Sequence, residues 1–454
     1  MQRLLELKDE LKPMARLAGP VVAAELGWSF MGTVDTLMVG RVSAEAIGAV
    51  SLGTALYLAV AIFGMGLLLG LDTIVSQAFG AGRLDDCHRS LVHGVYLSLI
   101  LTPILSGIIL LSIPMLPSWG LNQEVIPLTI PYLEALVWST LPLLLYMTFR
   151  RYLQGMGLVK PVMVALVTAN LVNVFANWIL IFGNLGAPAM GAKGAGWATC
   201  ISRTYMAAYL IGYALYYEYV HRTGLSKTPL TLDPTRLRQL LALGFPAAAQ
   251  IALELGAFAT GTALAAKLDS VSLAAHQIAL TAAAFTFMVP LGLSSAGAVR
   301  VGHALGRNDP RGAARAGWTA LLFGTTFMAC SAIAFQVFPS AILGAFTTDP
   351  AVISLGVSLL FIAAYFQLAD GLQVVSTGIL RGAGDTSTSM IVNLIGHWLI
   401  GIPVGYTLCF PLGWGVIGLW VGFCVGLVSV GLILLVAWAR RVRAFQRELA
   451  PSFG

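Results

Sequence analysis

Residues 17–40 read LAGPVVAAELGWSFMGTVDTLMVG. The stretch is almost wholly apolar, and a helix of 24 residues is long enough to cross the roughly 30 Å hydrocarbon layer of a bilayer. Two carboxylates interrupt it, Glu25 and Asp35. An acidic side chain in such a span costs at least about 2.5–3.5 kcal/mol against lipid, so each must face protein or water. For Asp35 three readings stand on this stretch alone. It is solvated at a helix end, it is a structural hydrogen-bond acceptor, or it is a functional intramembrane acid.

The surrounding chain fixes the class. Of 454 residues, 58% are hydrophobic and 10% charged, against about 25% charged in an ordinary soluble domain. Apolar stretches of span length recur at 15–40, 47–72, 91–113, 126–148, 160–183, 194–218, 238–264, 272–299, 315–338, 352–378, 387–408 and 414–438. Backbone polar groups in lipid must be bonded within their own segment, so these are helices. The expected fold is an all-α polytopic membrane protein with twelve transmembrane helices.

Charge placement agrees with that count. With both termini cytoplasmic, the expected inner segments hold 22 of the 26 Lys and Arg residues, Arg150, Arg151 and Arg381 among them. Outer loops hold Arg41, Lys193 and Lys267, and Arg203 falls inside a span. That asymmetry is the positive-inside rule for an even number of spans. The net charge of +6 therefore answers anionic lipid at the cytoplasmic face, not nucleic acid. Five scattered cysteines show neither metal spacing nor a disulfide framework. No cleavable signal peptide is visible, and residues 1–16, MQRLLELKDELKPMAR, read as an amphipathic helix on the cytoplasmic surface. The expected location is a bacterial inner membrane.

The halves of the chain resemble each other. VSQAFGAG (75–82) matches VGHALGRN (301–308), YLQGMG (152–157) matches ILRGAG (379–384), and VSAEAIGAV (42–50) has a counterpart in VSLAAHQIA (271–279), about 225–230 residues on. Six spans per half give both copies the same orientation, as in parallel repeats. The expected organisation is a cytoplasmic N-terminal segment (1–16), an N-lobe (17–220), a polar cytoplasmic linker (221–238), a C-lobe (239–438) and a basic cytoplasmic tail (439–454).

Three carboxylates fall well inside spans: Asp35, Glu254 and Asp370. Asn173 and Asn177 are four apart and share a helix face, and Thr199 lies at about the depth of Asp35. Together with Asp35 they make an oxygen-rich nest suited to a hard cation or a proton, and they would be the ligands if that cation were Na⁺. The alternative is interhelical hydrogen bonding, in which amides and hydroxyls act as glue. Arg203 needs a partner, with Glu25 and Asp35 as the candidates. Asp72 and Glu134 sit nearer span ends, where solvation or capping is the simpler reading. His276 reads as a satisfied interfacial histidine before it reads as a proton relay. Pro20, Pro246, Pro290 and Pro403 favour kinks. No Walker loop, HExxH or Ser–His–Asp arrangement is present, so ATP-driven transport and hydrolysis lack support and no enzyme is expected.

With those residues in view, the chain resembles the multidrug and toxic compound extrusion (MATE) transporters. The resemblance rests on VDTLMVGRVSAEAIGAVSL (34–52), GMGLLLGLDTIVSQAFGAGR (64–83), LRGAGDTSTSMIVN (380–393) and LGWGVIGLW (412–420), and it runs over essentially the whole length. GFPAAAQIALE (244–254) with ADGLQVVSTGILRG (369–382) is most similar to the NorM-type branch. The resemblance implies two pseudo-symmetric six-helix lobes around a central cavity. It implies antiport of cationic, amphipathic organic compounds against H⁺ or Na⁺. No cofactor is expected, and the expected working form is a monomer in lipid. Asp35 would be the N-lobe acid with Asn173, Asn177 and Thr199 beside it; Glu254 and Asp370 would be the C-lobe acids. Phe366 stands where related proteins can carry a tyrosine, and Tyr365 points elsewhere on the helix. The rival reading in the same class is a flippase for lipid-linked intermediates; a membrane enzyme or receptor is the rival from another class.

Overall fold

The structure, a computed structural model, describes residues 2–120 and 123–448. Met1 of the expected N-terminal segment and 449–454 of the expected tail lie outside the described residues. The chain runs through α1 (Gln2–Val39), α2 (Ala44–Leu67), α3 (Gly70–Gly80), α4 (Leu84–Ser112), α5 (Ile126–Val137), α6 (Thr140–Gly155), α7 (Lys160–Leu180) and α8 (Ala192–His221). It continues through α9 (Pro234–Ala265), α10 (Ser270–Gly306), α11 (Pro310–Val337), the short α12 (Pro339–Gly344), α13 (Pro350–Gly382), α14 (Ser387–Asn393), α15 (Ile402–Cys409) and α16 (Val416–Glu448). Among the described residues there are no strands.

The segment expected to lie on the membrane surface and the first span form one continuous helix, α1, with Pro13 and Pro20 inside it. Among the described residues, ten helices or joined helix pairs are long and apolar enough to span a membrane, and α5 with α6, bent by 48°, makes an eleventh. The twelfth expected span is α8. Its 30 residues suffice in length, but Lys193, Arg203 and a tyrosine-rich second half dilute its apolar character. Between α14 and α15 the backbone widens into a π-helix, Leu394–Gly401. Pro403 lacks the N–H that Leu399 would accept from in an α-helix, and the turns before it relax into the wider form.

The sequence repeat reappears as a repeat of local geometry. Ser43 accepts a hydrogen bond from the Ala46 amide (3.1 Å) at the start of α2, and Asp269 accepts from Ser272 (2.8 Å) at the start of α10. Both are N-caps. Gly82 (φ 73°) and Asn308 (φ 55°) take the left-handed conformation after α3 and α10, and Gly157 (φ 80°) and Gly384 (φ 83°) do so after α6 and α13.

Two compact units result, one of Ala23–Ala248 and one of Met1–Val22 with Ala249–Gly454. In the first, a continuous apolar core runs through Tyr57, Leu71, Leu133, Leu144, Leu166 and Leu210. In the second, a core cluster collects around Leu359, Leu360 and Trp420.

Burial corrects the charge reading at several positions. Arg150 and Arg151, counted above among loop cations, are buried in α6. Arg150 donates to Glu25, and Arg151 to Asp72 across 3.4 Å. Asp72 is 1% exposed, so the solvation expected for it does not hold, although it stands in the first turn of α3. Arg381 is buried as well. The positive-inside rule reads a residue's place along the chain; it does not see that a cation at a helix end can turn inward to a carboxylate on a neighbour. Glu134 is exposed, as its end position suggests.

Candidate functional site

In the unit of Ala23–Ala248, the acid in VDT lies one turn before the end of α1. Its carboxylate is 7% exposed and takes three hydrogen bonds. Asn173 donates its amide to Oδ1 at 3.0 Å and Asn177 to the same oxygen at 2.6 Å. The Thr199 hydroxyl donates to Oδ2 at 2.9 Å. The two asparagines, one turn apart on α7, are themselves joined at 3.1 Å. Three donors from α7 and α8 thus converge on an acid of α1, as a buried anion requires. The Oδ1 of Asn177 is buried with no hydrogen-bond partner.

Arg203 makes a different match from either partner named for it. It donates to the Ser139 hydroxyl at 2.7 Å, and its guanidinium stands 4.8 Å from the centre of the Tyr57 ring, a cation–π contact. Glu25 is taken by Arg150. Arg203 acts on Asp35 only through its field, from beyond hydrogen-bond reach.

In the other unit, Glu254 on α9 and Asp370 on α13 lie close enough for their charges to interact. Glu254 is partly exposed and accepts the Gln250 amide at 2.6 Å. Gln373 is its second amide neighbour. Asp370 is 4% exposed. Sequence reasoning did not single out Gln250 and Gln373, although spacing places each one turn from an acid, four residues before Glu254 and three after Asp370. Phe366 is buried and packs on Phe258 and Trp420, with ring centres 6.0 and 5.8 Å apart. Tyr365 is 64% exposed, so no tyrosine hydroxyl joins these acids. His276 is fully buried. Trp420 donates to its Nδ1 (3.1 Å), and its Nε2 pairs with the Thr262 hydroxyl (2.9 Å). Both ring nitrogens are satisfied, as the bland reading of this residue has it.

An all-helical polytopic chain built from two like halves, each with carboxylates inside its helices and side-chain amides beside them, is a membrane transporter in class. The MatE family model matches residues 20–179 and again 246–407, once in each half. The chain belongs to this family, the MATE transporters, and is not an enzyme. It is 35% identical over 443 residues to a probable multidrug resistance protein NorM of Mesorhizobium japonicum, covering 96% of this chain and 95% of that one. The multidrug resistance protein NorM of Vibrio cholerae is 33% identical, with 94% of each chain covered. Among solved structures, the eukaryotic MATE transporter AtDTX14 superposes with a TM-score of 0.86 at 21% identity, over 97% of this chain and 99% of that one. These relatives make the chain NorM-like, and the structural match carries the fold.

Proposed function

We propose that the protein is a secondary multidrug efflux antiporter. It exports cationic, amphipathic organic compounds in exchange for H⁺ or Na⁺ by alternating access, as a monomer in a bacterial inner membrane with both termini cytoplasmic. The observation that carries this reading is the pair of acidic sites, Asp35 in one unit and Glu254 with Asp370 in the other, with side-chain amides on Asp35 and Glu254. A buried carboxylate can trade an organic cation for a small one only if both neutralise the same charge.

The donor pattern at Asp35 favours a proton. The Thr199 hydroxyl faces Oδ2 and is both donor and acceptor, so it accepts from a protonated Oδ2 after one rotation. Sodium would ask more, because the asparagines present N–H to the carboxylate and must turn their oxygens inward. The residues still fit Na⁺ after that turn, and the unpartnered Asn177 Oδ1 is the first oxygen available. The flippase alternative wants cations free to hold a lipid diphosphate. Arg150 and Arg151 are instead paired with acids and Arg203 is held on Ser139 and Tyr57.

Two measurements test the proposal. Drug-sensitive bacteria expressing the chain are expected to gain resistance to ethidium and fluoroquinolones; unchanged sensitivity at confirmed membrane expression would reject efflux. In everted vesicles, with pH and Na⁺ gradients imposed separately, ethidium uptake is expected to follow the pH gradient. Uptake that follows Na⁺ alone would reject the proton and keep the antiporter.

A further inference from the structure

Asp370 heads a buried polar stripe that continues beyond the acidic site it belongs to. Asp370, Gln373, Thr377 and Arg381 follow at spacings of three, four and four along α13, and so share one face. All four are at most 6% exposed. The stripe covers about 16 Å of helix, at 1.5 Å per residue, from the acid to the C-terminal end of α13. The next helix answers with a stripe of its own: Ser389, Asn393 and His397, at spacings of four, all buried. Gln373 donates to Asn393 Oδ1 at 3.4 Å, which joins the two stripes in antiparallel register. Thr377 lies one turn beyond Gln373, and Ser389 one turn before Asn393, both on the same side of that bond.

Several hydroxyl, amide and imidazole atoms along the two stripes have no protein partner. Gln373 Oε1, Thr377 Oγ1, Ser389 Oγ and His397 Nε2 are all buried without a hydrogen bond, as is Ser376 Oγ on α13. Buried polar atoms are almost always bonded, to protein or to ordered water. A row of such atoms one helical turn apart offers each water the two or more partners it needs to be held. The Asn393 amide is spent on the Ser389 carbonyl (2.8 Å), and the Ser389 hydroxyl has no protein partner.

We propose that Gln373, Thr377, Ser389 and Asn393 hold a file of waters that carries protons between Asp370 and the C-terminal end of α13. The coupling proton of this unit then travels inside the unit, apart from the organic substrate. The inference rests on the antiport reading above and assigns the path of its ion. In each passage the protonated Asp370 gives its proton to the first water and is left as carboxylate. Each water and each hydroxyl takes one proton and passes on another, and one proton emerges at the level of Arg381. Amides do not relay; Gln373 and Asn393 orient the waters. Glu254 from α9 faces Asp370, His397 of the π-helical segment packs on Phe258, and His276 on α10 is engaged with Trp420 and Thr262.

The test compares Thr377→Val together with Ser389→Ala, which removes both hydroxyls at nearly constant volume, against the conservative Thr377→Ser. Each purified protein is reconstituted in liposomes holding a pH-sensitive dye, and proton movement evoked by ethidium is timed. Ethidium binding is measured separately by fluorescence anisotropy. The double variant is expected to lose about tenfold or more in proton release, the scale of a lost proton-transfer group. Its ethidium affinity should be unchanged, and Thr377→Ser should be near wild type. Wild-type release rates in the double variant would overturn the proposal. So would a Thr377→Ser variant as slow as Thr377→Val, because packing and not the hydroxyl would then be at stake. If the double variant does not fold, the two single Thr377 variants decide between the same outcomes. A wild-type protein that exchanges ethidium without moving protons fails the antiport reading itself, and shows it before any substitution is made.

Discussion

At Asp35, Oδ1 takes two amide hydrogens and Oδ2 one hydroxyl hydrogen, and nothing in that arrangement needs the charge to change unless the residue works. Asp35→Asn keeps the volume and most of the hydrogen bonds while abolishing titration. It is expected to reach the membrane at near wild-type abundance and to confer no resistance, with Glu254→Gln and Asp370→Asn alike; immunoblots and drug-sensitivity assays check both halves. Normal resistance from Asp35→Asn would move the coupling role to the other two acids. A purely structural residue behaves differently, as the Glu25–Arg150 pair should. Both side chains are buried, so Glu25→Gln strands a guanidinium and is expected to cost about 3–5 kcal/mol, while Glu25→Gln with Arg150→Met recovers most of it. Thermal melting in detergent measures this. The site around Asp35 was legible because Asn173 and Asn177 repeat at helical spacing and depth can be counted from span ends. The Glu25–Arg150 and Arg151–Asp72 pairs were not, since partners from distant helices meet only through packing that no periodicity encodes.

The helices show the same division between what pattern encodes and what contact decides. Among the described residues eleven spans declare themselves by length and apolarity; α8 does not, because Lys193, Arg203 and its tyrosines lower its hydropathy, Arg203 being turned to Ser139 and Tyr57. The glycines of α16 carry a message that the reading of spans passed over. Gly418, Gly422 and Gly426 recur every four residues, the small-xxx-small pattern of close helix approach in membranes. A Cβ on Gly422 would meet Gly405 Cα at 2.3 Å, and one on Gly418 would meet the Cys409 amide at 2.6 Å, both backbone of α15 that cannot move aside. Gly422→Val is therefore expected to lower the folded yield sharply, read as loss of the monodisperse peak in fluorescence size-exclusion chromatography. Gly344→Val, at a site with no atom within 4 Å of the added carbon, should leave that peak unchanged. Equal yields from the two would mean that α15 and α16 are not held by glycine contact.

On the scale of the whole chain, each half lends part of its first helix to the unit built by the other. α1 passes from one unit to the other between Val22 and Ala23, and α9 between Ala248 and Ala249, 226 residues on. Pro20 and Pro246 sit two residues before those crossings, at the offset that also relates the two family matches. Ion pairs fix both lent segments: Glu10 of α1 takes Arg300 with both oxygens (2.6 and 2.8 Å), and Arg236 of α9 takes Asp86 (2.7 Å). Glu10 and Arg236 are again 226 apart, an acid and a base at equivalent positions. Sequence similarity revealed the two copies but not the exchange, because a helix reads the same whichever unit receives it. The exchange predicts how the chain tolerates being cut. With the break placed between Lys227 and Thr228, each fragment lacks the half-helix that completes its own core and carries one that has no seat. Each fragment expressed alone is therefore expected to be degraded, whereas the two expressed together should accumulate, copurify and restore ethidium resistance, as segment exchange between subunits does in swapped dimers. Stable, monodisperse accumulation of either fragment by itself would show that the lent segments are dispensable and that each repeat folds on its own.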